Sequence, residues 1–288
     1  MRKILGVYSA PRAHWVGDGF PVRSLISPHA FGEPISPFLL LDHAGPHVFA
    51  PATTPRGVGP HPHRGFETVT IVYSGEVEHR DSTGAGGVIG PGDVQWMTAA
   101  AGVLHDEFHS RAFTAAGGAM EMAQLWINLP AAHKKAAPHY QAIRAEDIPT
   151  VELPNGAGAL RVIAGRYDGR DGPARSYTPL DVWDLRLTAG GHVELVLPEG
   201  HTLAVVVLAG AIEIGGAATA RDDEVVLLDR TGGGVSLAAA TDAKALILSG
   251  APLGEPVAAH GPFVMNTQEE LRQAFADFES GGFGRMPA

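Results

Sequence analysis

The chain contains no cysteine. Disulfides, thiolate metal sites and cysteine nucleophiles are excluded together, which leaves histidine and carboxylate side chains as the strong metal ligands. Basic residues are also scarce, with 21 Lys and Arg against 31 Asp and Glu for a formal net charge of −10. Docking on a nucleic acid or an anionic membrane needs a net basic surface, so neither is expected as a direct partner. Long hydrophobic runs are missing too. The longest, Leu203 to Ile212, is about half of the ~20 residues a spanning helix requires, and Gly210 interrupts it. Behind the basic Met1-Arg2-Lys3 the apolar stretch runs only from Ile4 to Val7, short of the roughly 7–15 residues of a secretory signal, and a cytoplasmic protein is expected. Phosphate loops, dinucleotide fingerprints and GxSxG nucleophile elbows are absent as well.

What is present reads as β structure. The 288 residues, 45% of them hydrophobic, suffice for two domains with ordinary cores. The 37 Gly and 22 Pro are dispersed and separate short runs of strand character. These are Phe38–Leu41, Thr68–Tyr73, Val94–Met97, Leu125–Ile127, Arg161–Ile163, His192–Leu197, Leu203–Leu208, Glu224–Leu228 and Ala245–Leu248. Many short strands punctuated by turn residues predict an all-β barrel or sandwich. One helix is expected, at the end. Thr267 and Glu270 form a capping box, Leu271, Ala274, Phe275 and Phe278 share a face, and Gly281-Gly282 stops the run. The pattern also repeats. A strand, a Gly turn and a second strand surround Gly75 and recur around Gly210, 135 residues later, as two barrels made by duplication would show.

The chemistry concentrates in the first half. His61 and His63 stand at i and i+2, so on an extended strand both rings point to one side, and Glu67 has the same parity. His105 and Glu107 repeat the device, 42 residues beyond His63. Three imidazole nitrogens and a carboxylate oxygen suit a divalent first-row ion and leave positions open for substrate or O2. Neighbouring residues read differently. His79 is expected on an exposed polar face, His109 at a frayed strand end, and His133 and His139 in a solvated loop. Arg64 is expected at a barrel rim or beside Glu67, and Phe66, Trp96 and Met97 either line an apolar wall or pack in the core.

At these residues the sequence resembles the pirin family of the cupin superfamily. The resemblance rests on HPHRGFETVT (61–70), GEVEHRDS (75–82), GPGDVQWMTAAAGVLHDEF (90–108), QLWINLP (124–130) and GPFVMNTQEEL (261–271), with weaker matches over nearly the whole chain. It implies a bicupin: two antiparallel jelly-roll barrels face to face, with a short C-terminal helix. The implied divisions are a metal-binding barrel at 1–140, a second barrel without ligands at 141–262, and a helix and tail at 263–288. It implies His61, His63, His105 and Glu107 as metal ligands, with Glu107 also the catalytic base. The general cupin pattern would take Glu67 as the carboxylate instead, and with Glu107 in that place Glu67 is expected to accept from and orient a ligand imidazole. Fe(II) is the implied ion, Mn, Co, Ni, Cu and Zn being others such donors accept. The implied activity is that of a quercetin 2,3-dioxygenase acting on a flavonol-like aromatic substrate and O2. A second implication, from other members of the family, is a redox-sensing regulatory cofactor that binds a partner protein. Aligned on the repeat, His61 and His63 fall opposite Val196 and Pro198, and His105 and Glu107 opposite Val235 and Leu237, so the second barrel is expected to bind no metal.

Overall fold

The computed structural model describes residues 1–27 and 30–287, and each of the nine apolar runs falls on one of its strands. The fold is all-β, with a capped helix, Gln268–Glu279, near the C-terminus. The Thr267 hydroxyl accepts from the Glu270 backbone, and the Glu270 carboxylate accepts from the Thr267 backbone. A six-residue helix, Arg111–Ala116, is the one other α-helix among the described residues. No helix among them is long and apolar enough to cross a membrane.

The strands build two units. The first holds Ala13–Arg23, Leu40–Ala145 and Leu253–Ala288, and the second holds Met1–Arg12, Ser24–Leu39 and Glu146–Pro252. The division is more interleaved than cuts at 140 and 262 express. The cause is pairing. Ile4–Ser9 finds its ladder partner in Glu224–Leu228, and local alternation of apolar residues carries no information about such distant partners.

In the unit that carries the histidine motifs, a seven-stranded antiparallel sheet runs in the order His139–Ile143, Val94–Thr98, Phe66–Ser74, Gly118–Asn128, Phe38–Phe49, Phe20–Ile26 and His14–Val16. A four-stranded sheet runs Gly57–His63, Val103–His109, Val77–Asp81 and Gly86–Ile89. Phe20, Val22, Val72 and Met122 from the first sheet pack with Val77 and Ile89 from the second.

The other unit repeats this plan. Its seven-stranded sheet is ordered Ile4–Ser9, Glu224–Leu228, Thr202–Ala209, Ala243–Gly250, Leu180–Leu187, Gly158–Ala164 and Thr150–Glu152. Its four-stranded sheet is ordered His192–Val196, Gly234–Ala239, Ala211–Ile214 and Ala218–Arg221. Gly75 and Gly210 make the same turn between equivalent strands, with φ of 81° and 86°, a left-handed conformation that glycine adopts without a steric penalty.

Candidate metal centre

The Gly57–His63 and Val103–His109 strands are neighbours in the four-stranded sheet, and His61 sits directly opposite His105. Two residues further on, His63 faces the same side, so three rings converge. The ring centroids of His61 and His105 are 4.2 Å apart, and His63 lies 4.8 Å from each. One nitrogen from each ring lies within 4.8 Å of the other two. His61 Nδ1 donates to the Gly59 carbonyl at 2.9 Å, which leaves Nε2 as the lone-pair nitrogen. His63 and His105 are buried. His63 Nδ1 and His105 Nε2 have no hydrogen-bond partner among the described residues.

Burial pushes the pKa of both His63 and His105 well below the usual imidazole value, and the neighbouring imidazoles push the same way. The hydrogen bond from His63 to the Pro262 backbone opposes the shift. Both rings are therefore neutral at pH 7, the state in which imidazole binds a cation. Unpartnered buried nitrogens are costly, at about 1–3 kcal/mol each. A divalent ion accepts their lone pairs, so this donor set fits one.

Glu107 stands on the same strand, where the register shifts between it and His105. It is buried, and its ligand oxygen forms a second convergent group with His79 and His105. Oε1 accepts from Gln95 Nε2 in a short hydrogen bond and from Thr70 Oγ1 at 3.2 Å. Thr70 Oγ1 also lies 2.7 Å from Gln124 Oε1. A cavity of about 340 Å³ opens beside these groups, lined by His61, His63, Glu107, Asp42 and Gln124 together with apolar side chains that include Phe20, Val22, Leu40, Met122 and Trp126.

Glu67 is placed elsewhere. It pairs with Thr98 and receives that hydroxyl at 2.7 Å. Counting parity from His63 to Glu67 fails because the strand ends at His63. Gly65 turns with φ of 88°, and Phe66 starts a strand of the other sheet. Thr70 reaches Glu107, so the even positions of that strand face the centre and Glu67 faces away.

Several neighbours depart from expectation. His79 is buried, not exposed. Its Nε2 lies 3.3 Å from Asp81 Oδ2, its Nδ1 lies 3.3 Å from His105 Nδ1, and its ring stacks on Tyr140. Burial would raise the Asp81 pKa, but hydrogen bonds from His79 and Thr83 outweigh it and lower the value. His109 bonds the Gly19 carbonyl among Phe20, Phe49 and Phe113, outside the cluster. His139 lies 3.3 Å from the Thr98 hydroxyl and is half-buried. Arg64 pairs with Asp277, not Glu67, because its strand turns away from Glu67 and meets the tail. Phe66, Trp96 and Met97 are core residues. The cavity wall comes from strands on the far side of the seven-stranded sheet.

Sequence reasoning missed Thr70, Gln95 and Gln124, whose polar positions inside β-rich runs were the available signal. It also missed Lys134, which is 2% exposed and donates to Gly65 O, Asn128 Oδ1 and Val264 O.

The equivalent layer of the other unit is apolar throughout. Ladder pairing places Val205 and Ile247 where Thr70 and Gln124 stand, and Val226 where Gln95 stands. Ile214, Leu237 and Val235 occupy the places of His79, Glu107 and His105. All six are buried in one hydrophobic cluster, and neither convergent ligand group among the described residues lies in this unit.

Comparison with known proteins places these observations in a lineage. The model of the Pirin family matches residues 19–127, and that of the Pirin C-terminal cupin domain matches residues 182–284. A Pseudomonas aeruginosa protein named, provisionally, as a quercetin 2,3-dioxygenase is 59% identical over 285 residues, covering 99% of each chain. A pirin-like protein of Caulobacter vibrioides is 39% identical over 268 residues, covering 91% of each. The crystal structure of a quercetin 2,3-dioxygenase from Acinetobacter baumannii superposes with a TM-score of 0.97 at 53% identity, covering 99% of each chain.

Proposed function

This chain belongs to the pirin family, and from that premise we propose that it is a metal-dependent dioxygenase that opens the central ring of a flavonol such as quercetin, consuming O2 and releasing carbon monoxide. In this reading His61, His63, His105 and Glu107 hold the ion, Fe(II) or another divalent first-row metal. The carrying observation is that the imidazoles of His61, His63 and His105 converge, and that His61, His63 and the buried carboxylate of Glu107 line one largely apolar cavity.

When bound, the ion supplies Lewis-acid activation of the flavonol 3-hydroxyl and a route for electrons to O2. The protein's share is positioning and proton handling. Glu107 takes the 3-hydroxyl proton, and its Oε1 is held for that task by Gln95 and Thr70. Phe20, Val22, Leu40, Met122 and Trp126 surround a flat aromatic body and exclude water, while Asp42 and Gln124 offer polar groups to its hydroxyls. A volume of about 340 Å³ falls at the lower end of the ~300–1,000 Å³ found for small-molecule sites.

The test is direct. Protein loaded separately with Fe, Mn, Co, Ni or Cu is mixed with quercetin and oxygen, and loss of flavonol absorbance and release of CO are followed. Turnover above free metal with at least one ion is the expected result. None with any of the five removes the activity, and capture of a partner protein that tracks metal oxidation state then favours the regulatory role.

A further inference from the structure

We infer that His79, backed by Asp81, is a positioning residue for the metal centre: it accepts the Nδ1 proton of His105 and so directs the Nε2 lone pair of that ring onto the ion. The inference rests on the reading that His61, His63, His105 and Glu107 hold the ion.

Proton counting carries it. Asp81 Oδ1 is fixed by the turn that follows, accepting from the Thr83 hydroxyl at 2.6 Å and from the Thr83 and Ala85 amides at 2.8 and 3.2 Å. Asp81 Oδ2 faces His79 Nε2 at 3.3 Å. A carboxylate only accepts, so the His79 proton sits on Nε2 and its Nδ1 carries a lone pair. That lone pair faces His105 Nδ1 at 3.3 Å, so His105 is protonated on Nδ1. The remaining nitrogen, His105 Nε2, is buried and without a partner among the described residues. One assignment thus satisfies all four ring nitrogens, given an ion at Nε2.

The rival arrangement puts the ion between His79, His105 and Glu107, whose ligand atoms also converge. His105 would then bind through Nδ1 and leave an Nε2 proton buried with no acceptor, which the first arrangement avoids. The internal repeat points the same way. Where the other unit has Val235 and Leu237 in place of His105 and Glu107, it has Ile214 in place of His79. The acceptor disappears along with the ligands it serves. Tyr140 stacks on the His79 ring at 4.7 Å and 9° and holds its plane.

The experiment uses the full chain and Ni(II) affinity measured by chelator competition. His79→Leu removes the acceptor and should weaken Ni(II) binding roughly 10–100-fold, the range found when such supporting partners are lost. His79→Gln keeps an acceptor oxygen and should restore affinity to within a few-fold. Asp81→Asn can donate to His79 Nε2, which reverses both tautomers and should weaken binding as much as His79→Leu. In Co(II)-loaded protein, NMR should show a slowly exchanging, paramagnetically shifted imidazole N–H that both weakened variants lose and His79→Gln retains, a signature general loosening would not give. His63→Ala serves as the reference. Unchanged affinity in His79→Leu with a large loss in His63→Ala overturns the inference alone. Unchanged affinity in both overturns the four-ligand reading. Equal losses in His79→Leu and His79→Gln, with the N–H signal intact, reduce His79 to a packing residue.

Discussion

Arg64 Nη1 meets Asp277 Oδ2 at 2.6 Å across 213 positions of sequence. The contact ties the C-terminal helix to the residue that follows His63. It is one stitch of several. The Val264 amide donates to the Arg64 carbonyl at 3.0 Å, the Arg64 amide donates to the Pro262 carbonyl, and the Arg64 guanidinium lies over Phe283. Asp277→Ala breaks only a partly exposed ion pair and should cost about 1 kcal/mol or less. Removing residues 258–288 strips the Pro262 carbonyl from His63 and should cause loss of Ni(II) retention on gel filtration, while the point variant keeps it.

Lys134 should prove more valuable to stability than any surface charge. Burial lowers its pKa to about 7, against the pull of Glu255 and Glu270. Its three N–H groups match three oxygen acceptors from distant parts of the unit. Lys134→Met leaves those acceptors without their donor and should destabilise the fold by about 3 kcal/mol in urea denaturation.

Glu107→Gln should lower flavonol turnover by about 100-fold or more, the usual loss when a proton-transfer group is removed. Gln95→Leu leaves the carboxylate in place but frees its orientation, and a smaller loss in turnover is expected. Steady-state rates with the same ion loaded in each variant give the comparison.

Metal-free protein should weaken in acid. The pKa values of His63 and His105 are depressed, mainly by burial and then by the neighbouring imidazoles, which disfavour a further positive charge. Below about pH 6.5 the unfolded chain takes up protons at these rings and the folded chain does not, so stability falls. Above that pH both states are neutral there and the contribution vanishes. Unfolding free energies from urea titrations at pH 8 and 5.5 should differ by about 2–3 kcal/mol for the two rings together, and a His63→Ala variant should show a smaller difference.

Leu40 lines the cavity from the seven-stranded sheet, away from the ligand strands. Leu40→Trp should fill part of that space and abolish quercetin binding in fluorescence titration. Its Ni(II) affinity should stay within about twofold of the parent protein, since no ligand or hydrogen-bond partner changes.

The sequence made the strands, the capped helix and the three converging imidazoles legible because each depends on local spacing. Alternation placed His61 with His63 and His105 with Glu107, and the repeat around Gly75 and Gly210 exposed the duplication. What stayed hidden depends on pairing across the chain. His79 looked like a surface residue because its partners, His105 and Tyr140, sit on strands remote in sequence. Glu67 kept its apparent parity because nothing local announces that Gly65 moves the chain into another sheet. Arg64 finds Asp277, and Lys134 finds Gly65 and Val264, too far along the chain for any short window to pair them.

The interleaved division of the chain sets an order of events during synthesis. The strand Ile4–Ser9 is synthesised well before its ladder partner Glu224–Leu228, which emerges more than 200 residues later. The histidine-bearing unit waits longer still, because Pro262, Val264 and Asp277 are translated after that partner strand. Neither unit can close before these residues emerge, so the histidine cluster is completed only after both units have been synthesised. A piece ending at residue 140 would carry His61, His63, His105 and Glu107 and lack the residues that clasp the strand of His63.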